Sequence, residues 1–143
     1  MSTRVTRDRE FQVPVEALYA AITDFDSYKL FLPEVVTSEV VTGKGTDKVR
    51  VRFEIEVMKR FAYELEFQLT PNKTVSWRLV SGEFFKKNEG QWVLNGAASK
   101  TQVRYELEVA VGFLVPGWVA KKLTESGLPQ MFERFETRAK EKM

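Results

Sequence analysis

Acidic residues recur two apart at Glu54/Glu56, Glu64/Glu66 and Glu106/Glu108, and paired carboxylates are the usual instruments of general acid–base work. In a strand, residues two apart share a face. Each pair here falls on the parity opposite an apolar set and is interleaved with Arg50, Arg52 and Arg104. Cross-strand ion pairing on a wet face is therefore the expected role. The chain has no His and no Cys. That removes Ser-His triads, thiolate nucleophiles and any zinc or iron held by His or Cys. Catalysis would have to rest on Asp, Glu, Lys, Tyr or Arg alone, so no catalytic residue, metal or cofactor is assigned. Asp24 and Asp26 read as capping and turn residues. Gly43-Lys44-Gly45-Thr46 lacks the glycine spacing and the strand-to-helix context of a phosphate loop, and reads as a turn.

The apolar parity carries the more telling set. Phe53, Ile55, Tyr63, Phe67, Trp77, Trp92, Tyr105 and Leu107 share one dry face, opposed by Met131, Phe132 and Phe135 of a C-terminal helical stripe. Such a set either fills a core or lines a cleft that is mostly apolar with a few polar handles. Tyr63, Tyr105 and the indole N–H groups of Trp77 and Trp92 would be those handles, because buried Tyr and Trp seek hydrogen-bond partners. Dry-face charge is scarce, so a hydrophobic ligand fits the lining best. Apolar residues also stand where loops are expected, at Phe31-Leu32-Pro33, Phe84-Phe85 and Phe113-Leu114-Val115-Pro116-Gly117-Trp118. Lys86, Lys87, Lys121 and Lys122 lie close by. Phe31, Leu32, Phe113, Leu114, Trp118, Lys121 and Lys122 are thus candidates for a cavity mouth or a membrane contact. The alternative is that these apolar residues tuck under the helix ends.

The positioning elements follow from the periodicities. Arg4 to Val13 reads as a first strand, although Arg7 and Arg9 share its apolar parity. Pro14 suits a helix start, and Val15, Leu18, Tyr19 and Ile22 make a short stripe. A second short helix is expected from Phe25 to Phe31, capped by Asp24 and stopped by Pro33. Strands follow over Val35–Val41, 48–57, 61–69, 75–79, 91–95 and 101–111, with a turn near Met58-Lys59-Arg60. From Leu128 on, the residues Leu128, Met131, Phe132, Phe135 and Ala139 fall within a sector of roughly 100°. Val119 would lie roughly 180° from Leu128 on one straight helix. The last quarter is therefore expected as two segments, or one kinked helix, pivoting at Gly127-Leu128-Pro129.

One sheet with a single dry face, curled around a long helix, satisfies both amphipathic patterns. The expectation is an α+β helix-grip fold: a curved antiparallel sheet of about six to seven strands around a long C-terminal helix, with two short helices after the first strand. At 143 residues and 43% hydrophobic, the chain is expected to form one domain over 1–143. No apolar run reaches membrane-spanning length and the start has no apolar h-region. With no cysteine, a cytoplasmic location is expected. The net charge of +2 gives no reason to expect specific DNA binding.

Val13-Pro14-Val15-Glu16-Ala17-Leu18-Tyr19, Asp24-Phe25-Asp26-Ser27-Tyr28 and Phe31-Leu32-Pro33 resemble the opening of START-like lipid-transfer domains. Gly90-Gln91-Trp92, Thr101-x-Val103-x-Tyr105 and Val115-Pro116-Gly117-Trp118 are similar to the same superfamily. The resemblance is nearest to its polyketide cyclase/dehydrase and coenzyme Q-binding branch, which includes ribosome-association toxins. It implies a shared cavity rather than a shared catalytic set. The reading is a binding or carrier domain for a lipid, an isoprenoid quinone or a polyketide-like molecule. The rivals are a ribosome- or protein-interaction module and a cyclase or dehydratase.

Overall fold

Strict alternation over two long stretches builds the middle of the sheet, because period two puts every apolar side chain on one face. These are β3 (Lys48–Glu56) and β4 (Arg60–Thr70), paired antiparallel with Phe53 opposite Tyr63 and Val49 opposite Phe67. The computed structural model describes residues 2–57, 59–113 and 115–143. Around the central pair lie β1 (Ser2–Phe11), β2 (Val35–Thr42), β5 (Thr74–Gly82), β6 (Phe85–Ala97) and β7 (Lys100–Val111). The sheet is seven-stranded and antiparallel throughout, in the order β1-β7-β6-β5-β4-β3-β2. Strands β1 and β2 are its edges. Helix α1 (Val15–Thr23), a 3₁₀ turn (Phe25–Ser27) and α2 (Tyr28–Phe31) link β1 to β2. After β7 come α3 (Gly117–Lys121), a π-helical turn (Lys122–Ser126) and α4 (Leu128–Glu141). This is the helix-grip fold.

The charged parity faces out and pairs with itself. Glu66 receives Arg78 at 2.8 Å and Arg50 at 3.5 Å, Glu108 receives Arg4 at 2.9 Å, and Arg104 meets Asp8 at 3.0 Å. Glu106 accepts from Gln91 at 3.1 Å. Of the acid pairs, Glu56, Glu64, Glu66 and Glu108 are thus held in ion pairs on the outer face, while Glu54 accepts from Thr37 and Glu106 from Gln91. Arg9, which broke the alternation of β1, lays its guanidinium over the Phe11 ring at 5.1 Å and meets Glu136 at 3.6 Å. A cation over an aromatic face explains a charge at an apolar position.

Several elements differ from the sequence reading. Strand β1 begins at Ser2 and ends at Phe11, with Val13 buried in the turn that follows. Strand β6 starts at Phe85, well before Gln91, because its first residues pair with β7 from Phe85 opposite Val111 onward. Phe84 and Phe85 are consequently buried rather than exposed in a loop, Phe84 with its ring 3.9 Å from that of Phe61. Asp24 makes no side-chain cap; its carboxylate faces Arg138 at 3.9 Å. Asp26 does turn-making work, accepting from the Val40 N–H at 2.9 Å and tying the 3₁₀ turn to β2. Gly43 sits at φ +81, where a Cβ would fall 2.0 Å from the Lys48 carbonyl oxygen, so that turn requires glycine.

The C-terminal break takes the form of the π turn. Gly127 donates to the Lys122 carbonyl at 3.0 Å, five residues back. One residue added to a helical turn shifts the phase by roughly 100°. Val119 and Leu128 can therefore both be buried, although a straight helix would hold them on opposite sides. Pro129 stands in the first turn of α4, where its missing N–H is harmless.

Candidate ligand cavity

Strands β5 and β6 pair only from Thr74 opposite Val93 to Trp77 opposite Gly90. Beyond that point β5 stays with β4 as far as Gly82, while β6 stays with β7. The β5–β6 ladder thus ends at Trp77, and the Trp77 indole reaches across the parting to Asn88. Gly90 makes room for it: a Cβ there would fall 2.8 Å from the indole ring and 2.1 Å from the Glu106 carbonyl oxygen. The indole N–H donates to Asn88 Oδ1 at 3.0 Å.

Between this region and the helices lies a cavity of about 200 Å³. Of the residues expected to line it, Phe53 and Ile55 come from β3, Tyr63 and Phe67 from β4, and Trp77 from β5. Trp92 comes from β6, Tyr105 and Leu107 from β7, and Met131 and Phe135 from α4. Phe132 is placed elsewhere. It is packed off the cavity against the rings of Phe11 at 5.9 Å, Trp92 at 5.8 Å and Tyr105 at 5.3 Å. It sits one position on from Met131, and a step of about 100° turns it towards β1.

The structure adds lining residues that periodicity did not single out. Tyr28 comes from α2, Asn88 and Phe85 from the early part of β6, and Leu123 from the π turn. The extra length of β6 is what brings in Asn88 and Phe85. The Tyr28 hydroxyl donates to the Ile22 carbonyl oxygen and is satisfied within the fold. Burial pushes its phenol, and those of Tyr63 and Tyr105, well above the usual tyrosine range. All three stay neutral and hydrogen-bearing at ordinary pH. Of the lining residues Lys122 is exposed, and Glu34, Val35, Val57, Tyr63, Leu123, Gly127 and Met131 are half-buried, so the mouth lies on their side of the cavity.

The candidate mouth residues divide. Leu32 is buried and lines the cavity, and Phe31 is half-buried with its ring edge-on to Phe135 at 5.2 Å. Neither is an outward contact, because α2 packs its apolar side inward. Phe113 is 91% exposed and Trp118 is 55% exposed, with Lys121 and Lys122 exposed beside them. Leu114 lies outside the described residues. Among those described, no group of His, Cys, Asp or Glu could hold a metal ion, and no helix is long and apolar enough to cross a membrane.

The fold and its cavity define a START-like domain, and the comparisons agree. Residues 11–136 match the family of polyketide cyclase / dehydrase and lipid transport proteins, to which this chain belongs. A START superfamily protein from Mycobacterium smegmatis is similar over 98% of this chain and 99% of its own, at 20% identity and a TM-score of 0.82. The Zhui aromatase/cyclase from Streptomyces sp. R1128 is similar over 98% of this chain and 87% of its own, at 18% identity and a TM-score of 0.70. The major latex-like protein 151 of Panax ginseng covers 96% of this chain and 97% of its own, at 9% identity and a TM-score of 0.73. These likenesses establish the fold. No curated protein matches the sequence.

Proposed function

We propose that this chain is a binding or carrier domain for a hydrophobic small molecule, of lipid, isoprenoid quinone or polyketide type, held between the sheet and the C-terminal helix. The cavity carries this reading: side chains leave it open, its wall is aromatic, and among the described residues its ionisable lining groups besides phenols are Glu34 and Lys122, at the mouth. Its volume of about 200 Å³ is small beside the roughly 300–1,000 Å³ of common ligand pockets. It suits a compact ring system, or the ring of a longer molecule whose tail leaves past Lys122 and Leu123.

The carrier reading is favoured over a cyclase or dehydratase because the depth of the cavity offers neutral phenols that can donate a proton but not accept one at neutral pH, while the described lining carboxylate, Glu34, stands at the mouth. It is favoured over a ribosome- or protein-binding module because Arg4, Arg50, Arg78, Lys87 and Arg104 on the outer face of the sheet are tied up in ion pairs with Glu66, Glu108 and Asp8. Phe113 and Trp118, with Lys121 and Lys122, give the mouth end an apolar surface with cations beside it. That composition suits peripheral contact with an anionic membrane from which a greasy ligand is taken.

Native mass spectrometry of the protein as purified, before and after organic extraction, tests the proposal. The expected result is a bound mass that extraction removes, together with saturable uptake of N-phenyl-1-naphthylamine by the extracted protein. An unliganded mass throughout, with no saturable uptake, would overturn it.

A further inference from the structure

Hydrogen-bonding groups in the cavity are unequally distributed. The Trp77 indole N–H can only donate, so Asn88 must turn its oxygen towards it, as the 3.0 Å contact shows. The Asn88 amide hydrogens are thereby left to the cavity side. Arg138 Nε is the one side-chain polar atom sealed away without a partner among the described residues. The Tyr63 and Tyr105 hydroxyls make no hydrogen bond to those residues either, so they must open onto space, and the space they line is the cavity. Three donors thus border the cavity without a hydrogen bond to any acceptor among the described residues, and the one carboxylate of the described lining, Glu34, is half-buried at the mouth. The Tyr63 ring is stacked on Phe53 at 5.5 Å and the Tyr105 ring is edge-on to Trp92 at 4.8 Å. Packing holds both phenols in place, so their direction is set before any ligand arrives.

An unpaired donor in a dry site costs free energy that an acceptor on the ligand recovers. Among the described residues the one lysine or arginine that lines the cavity is Lys122, at the mouth, whereas an anionic headgroup would need a cation further in. We propose that Tyr63, Tyr105 and Asn88 are the specificity-determining residues, and that they select an uncharged ring compound bearing carbonyl-type acceptor oxygens over a plain hydrocarbon or a carboxylate. This rests on the carrier reading above and adds the chemistry by which that site chooses.

The test compares three probes of one ring size by equilibrium dialysis: 1,4-naphthoquinone, naphthalene and 2-naphthoate. The protein has no cysteine for the quinone to arylate. A purely apolar cavity would rank naphthalene first, since the quinone must give up hydration of both carbonyls. The expected result is the reverse, with the quinone bound about tenfold more tightly than naphthalene and 2-naphthoate bound no better than naphthalene. In the Tyr63→Phe/Tyr105→Phe double variant the preference for the quinone should vanish while naphthalene binding holds within about twofold. Thermal unfolding of that variant checks that the cavity is intact, and Tyr105→Phe alone should lose part of the preference. If the wild type binds naphthalene at least as tightly as the quinone, or the double variant keeps the preference, the donor assignment is wrong and the carrier reading stands. Binding of none of the probes overturns both.

Discussion

Trp77 donates its indole N–H to Asn88 Oδ1 at 3.0 Å across the point where β5 and β6 part. Ladder hydrogen bonds between these strands stop at Trp77 and Gly90, so this side-chain bond continues the connection where the backbone does not. Replacing Asn88 by Leu leaves a buried donor unpaired, at a cost of about 1–3 kcal/mol. A double-mutant cycle with Trp77→Phe in urea unfolding should show the two changes to be clearly less than additive. Full additivity would mean that the bond contributes nothing to stability.

Packing and lining should separate by mutation. Phe132 is in contact with aromatic rings rather than the cavity, so Phe132→Ala is expected to lose ~3–5 kcal/mol. Met131 borders space that is already empty, and Met131→Ala should cost distinctly less while ligand retention falls. Urea unfolding beside native mass spectrometry gives both readings. Equal destabilisation by the two changes would mean that Met131 is packed core.

The π turn depends on Gly127. A Cβ there would lie 2.4 Å from the Lys122 carbonyl oxygen, the acceptor of the Gly127 N–H. Gly127→Ala should therefore open the turn and speed amide exchange over residues 122–127, whereas Pro129→Ala should leave folding intact. Unchanged exchange in Gly127→Ala would show that the turn tolerates the side chain.

Acid should weaken the outer face at one identifiable carboxylate. Hydrogen bonds from Ser2, Arg4 and Lys87 lower the Glu108 pKa from 4.5 to about 2. A carboxylate with a depressed folded-state pKa contributes stability above its unfolded value, and that contribution is lost as pH falls through the folded one. Wild-type stability should thus decline between about pH 4.5 and about pH 2, and Glu108→Gln should flatten part of that decline. The group is half-buried at the surface with exposed cationic partners, so salt should shrink part of the effect. An identical acid profile in the variant would remove Glu108 from the account.

Membrane contact can be read by vesicle flotation. The wild type should bind anionic vesicles at low salt and release them as salt rises. Trp118→Ala and the Lys121→Glu/Lys122→Glu pair should each weaken binding, with thermal unfolding little altered. No flotation of the wild type at low salt would leave a ligand taken from solution.

Local pattern alone determined much of this protein. Alternation at period two placed Phe53, Tyr63, Phe67, Trp77, Trp92 and Tyr105 on one face, since neighbouring side chains in a strand must point opposite ways. The phase change between Val119 and Leu128 located the break at Gly127, because an α-helix cannot hold both on one side. What no local pattern contains is how far strands stay paired. The parting of β5 from β6 depends on β6 choosing β7 over β5 along its early residues, a contest between distant segments. That choice places Phe85 in the sheet and Asn88 beside Trp77, both in the cavity lining. Whether an aromatic face becomes a packed core or a chamber is decided by the distance between layers, which only the tertiary structure sets.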